Sequence, residues 1–420
     1  MNYPAYPRPI RIASIQNLRR VWESSKDAHG RGGAPGVDGV TPRAFRSNLD
    51  PNIEAVQDRV LTQPFVFSKL RPVPLLKASG KIRIICVPTL ADRLVQRLFV
   101  DYLVTGDKLR VKNSVSFGFV RGGGGVARAI KKAKNLRAEF PWAFKSDIAS
   151  FFDEIDREDL KANLEKQFHR SSSLPFLQAA IDCEVDTSNK YKAAQIAAAG
   201  LKPGVGLRQG MPLSPLLSNF VLRDFDRLFE LHGARLVRYA DDFVLFAKTE
   251  DECRSFFPMV RSQLAKKNHT IPDISPGSKT AIYAPAEPVE FLGFEIKKTA
   301  SANSYRVVAP AAAFKAIKAS LDEFSDLDHA IATYKNLART VQSANATMAG
   351  FLGAYQPAKN FDDLKSHAGN CRAETFRRLL STLFGAPAIA QLDDRKREFV
   401  ELKGLLDASV VDAQDEVMTS

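Results

Sequence analysis

Two adjacent carboxylates, Asp241 and Asp242, stand in the stretch RLVRYADDFVLFAK (235–248), between the apolar, β-prone runs 236–239 and 243–246. The pattern predicts a β-hairpin with both acids at its tip. Charges do not ordinarily gather between strands that want burial, and two chemistries account for them here. Aspartate favours tight turns, because its side chain bonds the local backbone and tolerates unusual φ/ψ. Paired carboxylates also hold Mg²⁺ against nucleotide phosphates.

A second acidic centre lies upstream in FPWAFKSDIASFFDEI (140–155), where Asp147 ends a run that reads as a core strand. A carboxylate in that position is poorly placed for packing and well placed for metal binding. Asp153 and Asp156, in the turn that follows, read as helix-start residues.

The elements that must position these acids alternate irregularly. A helix is expected over 15–25, and the Gly-rich loop GRGGAPGVDGVT (30–41) follows it; no GK[ST] succeeds this loop, which excludes a P-loop. Residues 65–88 read as strand, turn, strand, with Lys77, Lys81 and Arg83 around the turn 78–80. Such cations either protect a sheet edge or close over a triphosphate. A strongly periodic helix follows over 90–105, with Arg93 and Arg97 on its outer side. In SFGFVRGGGGVARAIKKAKNLR (116–137) four glycines lead into a helix carrying Arg128, Lys131, Lys132, Lys134 and Arg137. That helix is a solvated face or a support for a nucleic-acid backbone.

GVGLRQGMPLSPLLSN (204–219) lays Gln209 in a glycine-bounded loop and enters a helix, continuing over 216–229, through Pro212 and Pro215. After the acidic hairpin come a helix over 252–267 and strands over 278–283 and 289–296. From about 310 to 400 the composition is that of helix formers, and the tail is acidic. Mixed, irregular ordering of this kind predicts an α+β fold and not a doubly wound parallel sheet.

Composition sets the outer bounds. At 420 residues, 45% of them apolar and 28 of them Phe, the chain is expected to be globular with two or three lobes. Its 60 Lys and Arg outweigh 47 Asp and Glu, a net charge of +13 that points to a polyanionic partner, nucleic acid ahead of membrane. Cys86, Cys183, Cys253 and Cys371 are widely spaced without a CxxC pair, as in the core of a reduced protein. No signal-peptide h-region and no apolar run of membrane-spanning length is present, so a cytoplasmic protein is expected.

Taken in order, these segments resemble a bacterial reverse transcriptase of the group II intron-like lineage. GAPGVDGVT looks like the motif of the N-terminal extension, LRPVPLLKASGKIRIICVPT and SFGFVRGGGG like the two fingers motifs, and SDIASFFDEID like the palm motif with the first catalytic acid. GLRQGMPLSPLLSN, YADD, SKT and FLGFEI follow in the family's order. The resemblance implies a right-hand polymerase: an N-terminal extension (1–64), fingers (65–140), a palm with inserted fingers elements (141–305), and a helical thumb with the tail (306–420). It implies catalysis by Asp147, Asp241 and Asp242, which with the Ile148 carbonyl would bind two Mg²⁺ ions, Mn²⁺ being able to substitute. It further implies dNTP contacts from Arg71, Lys77, Arg83, Gln209 and Lys279, and an aromatic gate at Phe152 whose ring would exclude a ribose 2′-OH. Nucleic-acid contacts are implied for Arg121, Arg128, Lys131 and Lys132.

Departures from the relatives narrow this picture. The late His329, His367 and Cys371 have no metal-nuclease spacing, and the Val-Thr-Gly signature that retron enzymes carry in the last palm or thumb region is absent from that part of the chain. The remainder is similar to compact, defence-associated "unknown group" reverse transcriptases, which implies a structured non-coding RNA as template and partner, a cDNA product and a role in antiphage defence. An intron maturase and an RNA-dependent RNA polymerase are the alternatives.

Overall fold

The computed structural model describes residues 9–29, 33–62, 64–76, 80–120, 122, 124–233, 235–301, 304–393 and 395. The chain divides into two compact units, Met1–Ala129 with Phe144–Ile282, and Ile130–Ala143 with Tyr283–Ser420.

In the first unit a four-stranded sheet carries the acids. A separate hairpin is formed by β1 (Arg71–Leu76) and β2 (Ile82–Val87), which pair antiparallel, Arg71 opposite Val87. The central sheet is built from β3 (Trp142–Asp147), β4 (Leu236–Tyr239), β5 (Asp242–Ala247) and β6 (Ala281–Tyr283), in the order β4-β5-β3-β6. Phe243, Val244, Leu245 and Phe246 are all buried, the signature of a strand covered on both faces. Phe144 of β3 meets the rings of Phe243, Phe256 and Phe257 at 6.4–6.5 Å. The latter two rings come from the helix Glu250–Ala265, which Thr249 caps by accepting the Glu252 N–H at 3.3 Å. These contacts fix the ends of β3 and β5 side by side, which is where the acids lie.

The helix Leu90–Val104 departs from expectation. Arg93 is 6% exposed rather than outward, because Asp27 and the Ala34 carbonyl cover it, at 2.9 and 2.7 Å; Arg97 pairs with the same Asp27. The predicted helix over 216–229 is two helices, Ser214–Val221 and Arg223–Leu231.

The second unit holds a three-stranded antiparallel sheet, β7 (Val289–Phe291), β8 (Phe294–Lys298) and β9 (Tyr305–Val308). Residues 289–296 are therefore a hairpin and not one strand: Leu292 and Gly293 take φ of +51° and +82°, the two-residue turn whose twist suits paired strands. Arg137, expected on a basic face, is fully buried and donates to the carbonyls of Ile296 and Ala284 at 2.7 and 3.0 Å, with its guanidinium over the Tyr305 ring. Helices Ala311–Asp322, Leu327–Tyr334, Leu337–Tyr355, Phe361–Phe384 and Ala386–Ala390 follow in the same unit. All four cysteines are buried and free, and among the described residues no helix is long and apolar enough to cross a membrane.

Candidate active site

The turn between β4 and β5 pairs Tyr239 with Asp242 and leaves Ala240 and Asp241 at its tip. Ala240 adopts φ +58°, a conformation costly for a residue with a Cβ, so the surroundings must hold it. Arg238 does so from a fully buried position: Nη1 donates to the Ala240 carbonyl at 2.8 Å, and Nε donates to Asp226 Oδ1 at 2.6 Å. Nη2 reaches Ser116 Oγ at 2.9 Å and Asn219 Oδ1 at 3.2 Å, while Asn219 donates to the Gly118 carbonyl at 2.8 Å. Gly118 is bare for a reason: a Cβ there would lie 2.6 Å from the Ala240 nitrogen. None of these supports was singled out in the sequence, although an arginine inside an apolar strand is itself a signal that a buried partner exists.

The turn is joined to β3 by the Ile148 N–H, which donates to the Asp241 carbonyl at 3.0 Å. Asp147 and Asp241 thereby face one another at adjacent strand ends. Burial raises the Asp241 carboxyl above the ordinary aspartate range, and the nearby Asp147 charge raises it further, against the opposing pull of its own backbone N–H, Lys279 and Arg83. Lys279 pairs with Asp147 Oδ2, which raises the ammonium pKa; Asp241 and Asp242 add to that. Asp147 Oδ1 is buried without a hydrogen-bond partner. Ser146, next to it, shares a hydrogen bond with Thr280 at 2.7 Å, which ties the Lys279 segment to β3.

Among the described residues no group of three or more His, Cys, Asp or Glu side chains is placed to hold a metal ion. The donor chemistry nevertheless fits a hard divalent cation: oxygen ligands, one orphaned carboxylate oxygen, and an Asp241 carboxyl whose pKa burial and the nearby Asp147 charge raise.

After Asp147 the chain turns through Ser150, at φ +45°, into the single 3₁₀ turn Phe151–Glu154. Phe151 is buried and Phe152 half-buried, their rings edge to face at 5.5 Å. Asp156 does cap the helix Arg157–Phe168, accepting N–H bonds from Glu158 and Asp159 at 2.9 and 3.0 Å. Asp153, expected as a helix start, instead lies in the 3₁₀ turn and accepts from Gln209 Nε2 at 3.4 Å. Burial raises its pKa, with the Gln209 bond acting the other way.

Gln209 also accepts from Arg83 Nε, so the β1–β2 hairpin and the 204–210 loop meet beside Phe152. Arg83 is felt electrostatically by both Asp241 and Asp153. Asp147, Asp241, Asp242, Lys279, Arg83 and Gln209 are thus assembled around one place. Arg71 is drawn elsewhere, its Nε donating to the Pro35 carbonyl at 2.7 Å. Arg128 donates to the Gly122 carbonyl at 2.9 Å, Lys131 is exposed and Lys132 half-buried. Lys77 and Arg121 lie outside the described residues.

The site thus lies in an α+β fold, with acids at the end of an inner strand and on the adjoining antiparallel turn. The family model described as "Reverse transcriptase (RNA-dependent DNA polymerase)" matches residues 75–296, more than half of the chain, and the protein belongs to that family. The chain is 27% identical over 221 residues to protein YkfC of Escherichia coli, spanning 51% of this chain and 53% of YkfC. It is 25% identical over 178 residues to a 91 kDa protein in cob intron of Schizosaccharomyces pombe, spanning 42% of this chain and 21% of that one. The matches thus span about half or less of these relatives' own lengths. Among solved structures it is similar to telomerase from Candida albicans (11% identity, TM-score 0.38, 84% of this chain and 69% of that one). Apo telomerase from Candida tropicalis gives 14% identity and a TM-score of 0.35, over 82% and 62%. Likeness at these values is too weak to bear on function.

Proposed function

We propose that the protein is an RNA-directed DNA polymerase that copies a structured non-coding RNA into cDNA, in the service of antiphage defence. The observation that carries the chemistry is the Asp147–Asp241 juxtaposition beside Lys279, in a family whose members generally use divalent metal ions. The choice of template and the defence role rest on the motif resemblance alone.

In this reading Asp147, Asp241 and Asp242, with the Ile148 carbonyl, hold two Mg²⁺ ions, or Mn²⁺ in their place. Such ions activate a primer 3′-hydroxyl and neutralise charge on the transferring phosphoryl group. Arg83 and Gln209, with Lys77 and Arg71, receive the dNTP, and Lys279 moves from Asp147 to the phosphates or primer end as substrate arrives. Phe152 lies under the sugar and rejects a 2′-OH by contact. Residues 65–140 serve as fingers, 141–305 as palm and 306–420 as thumb, with 1–64 as an extension. Arg121, Arg128, Lys131 and Lys132 contact the nucleic-acid backbone.

The test is primer extension on an RNA template with Mg²⁺, supplying dNTP or NTP in parallel. DNA synthesis supports the reading; NTP use at equal efficiency makes the protein an RNA polymerase. A second reading, action in intron splicing and mobility, is favoured by the likeness to the 91 kDa protein in cob intron. Sequencing RNA and cDNA that copurify with the protein separates the two: intron RNA favours the second reading, and a dedicated non-intron RNA with its cDNA favours the first.

A further inference from the structure

Asp153 stands outside the acid cluster, one residue beyond Phe152, and its partner explains it better than any helix cap would. An arginine only donates and a carboxylate only accepts, so an amide placed between them has a single orientation that satisfies both. Gln209 is placed in that way: Oε1 accepts from Arg83 Nε, and Nε2 donates to Asp153 Oδ1 at 3.4 Å. Flipped, the amide would set N–H against guanidinium and oxygen against carboxylate. Asp153 is thus the acceptor that holds the Nε2 end in place.

The backbone closes the same circuit. Cys86 of β2 donates to the Gln209 carbonyl at 2.7 Å, Leu207 donates to the Phe152 carbonyl at 2.7 Å, and Gly206 donates to the Ile155 carbonyl at 2.8 Å. The approach is close enough to require glycine: a Cβ on Gly206 would fall 2.6–2.8 Å from the backbone of Phe152 and Asp153. Hairpin, loop and gate turn are thereby stitched together by main chain, and the Asp153–Gln209–Arg83 chain is their side-chain counterpart.

We propose that Asp153 is a positioning residue that fixes the Gln209 amide and, through it, Arg83, so that the basic hairpin and the aromatic gate receive an incoming nucleotide as one unit. The nucleotide in this statement rests on the polymerase reading above; the positioning itself does not.

The full-length chain and its Asp153→Ala, Asp153→Asn and Asp153→Glu variants are compared by amide hydrogen exchange and by dNTP titration on an RNA template. Asp153→Ala is expected to speed exchange at Cys86 and Leu207 about tenfold while leaving β5 unchanged, as befits the loss of one charge-assisted bond. It should also raise KM for dNTP about tenfold with kcat within about twofold. Asp153→Asn, which keeps an acceptor oxygen, should recover most of both effects, and Asp153→Ala should add nothing further in a Gln209→Ala background. Asp153→Glu displaces the carboxylate by one methylene and should give the same pattern at smaller size, so a poorly folding Ala variant does not end the test. Unchanged exchange at Cys86 and Leu207, a fall in kcat with KM constant, or full additivity with Gln209→Ala overturns the proposal. If the unmodified chain incorporates no nucleotide, the polymerase reading fails, and the exchange measurements still decide whether Asp153 positions Gln209.

Discussion

Arg238 and Asp241 are neighbours on one hairpin and meet opposite fates. Arg238 has no exposure, and its Nε and both Nη atoms find acceptors on Asp226, Ala240, Ser116 and Asn219. Asp241 is buried and feels the charge of Asp147, which together raise its pKa, and Asp147 keeps a buried oxygen with no partner. A buried charge whose bonds are met contributes a fixed geometry and has nothing left to offer a ligand. A buried charge left short of partners is destabilising by itself and is retained where a ligand completes it. The hairpin therefore separates two tasks by sequence position: Arg238 holds the strained Ala240 turn, and in the proposed function Asp241 is the group left for a ligand.

The sharpest way to break this contrast is to remove the acids. Asp241→Asn or Asp147→Asn is expected to cut Mg²⁺-dependent DNA synthesis by about 10³-fold or more, the scale of losing a group that stabilises transition-state charge. Because either change relieves like-charge repulsion, the melting temperature should hold or rise, and RNA binding should stay nearly intact. Primer extension, a thermal melt and an RNA-binding titration check the three parts. Full activity in either variant overturns the metal assignment.

Arg238 should behave in the opposite sense. Arg238→Ala leaves the buried Asp226 without its ion-pair partner, with only the Asn113 amide still donating to it at 3.1 Å, which costs about 3–5 kcal/mol of stability. Replacing both partners by apolar residues, Arg238→Met with Asp226→Leu, should restore most of that loss in urea unfolding while leaving the turn without its bond to the Ala240 carbonyl. If the single and double variants unfold alike, the network is not what holds the hairpin.

The same distinction explains what could be read from sequence. The acidic hairpin, the strand that ends at Asp147 and the helix starting at Leu90 are legible because their periodicity and turn residues are local. Arg93 and Arg137 were misplaced because burial on those faces comes from residues far along the chain: Asp27 and Ala34 for one, and the carbonyls of Ala284 and Ile296 for the other. The hairpin in 289–296 did carry a signal, a glycine between two phenylalanine-containing runs, which the continuous apolar pattern masked. Asp153 carried none, since its partner Gln209 is remote in sequence and only the fold brings them together. Local chemistry was visible in the residues, and the satisfied networks that aim it were not.

His269 offers a third case, a buried group that is unsatisfied but neutral. It is 4% exposed, neither ring nitrogen has a hydrogen-bond partner, and its ring meets Phe151 edge on at 5.0 Å. Burial lowers its pKa from 6.5 to about 4. The unfolded chain therefore binds a proton in the window between those values that the folded chain does not, so stability rises with pH there and falls on acidification. The loss is expected to reach about 3 kcal/mol by pH 4. His269→Phe should flatten that part of the profile in melts run from pH 7 to pH 4; an unchanged slope would show that other groups set it.

The smallest effect tests whether the scaffold on one side of the acids works as geometry alone. Phe152 carries no charge, is half-buried, and is held by its ring contact with Phe151 and by the Leu207 N–H on its carbonyl. If it acts as the gate, its contribution is steric: the ring occupies the space a 2′-hydroxyl would need, and nothing in the acid cluster compensates when it is gone. Phe152→Ala should therefore raise the kcat/KM for a ribonucleotide about tenfold relative to the matching dNTP, while dNTP incorporation itself changes less. Competitive extension with mixed NTP and dNTP pools reads this ratio directly. A ratio that does not move would assign sugar selection to another side chain and leave Phe152 as packing for Phe151, in which case the variant should lose stability instead of selectivity.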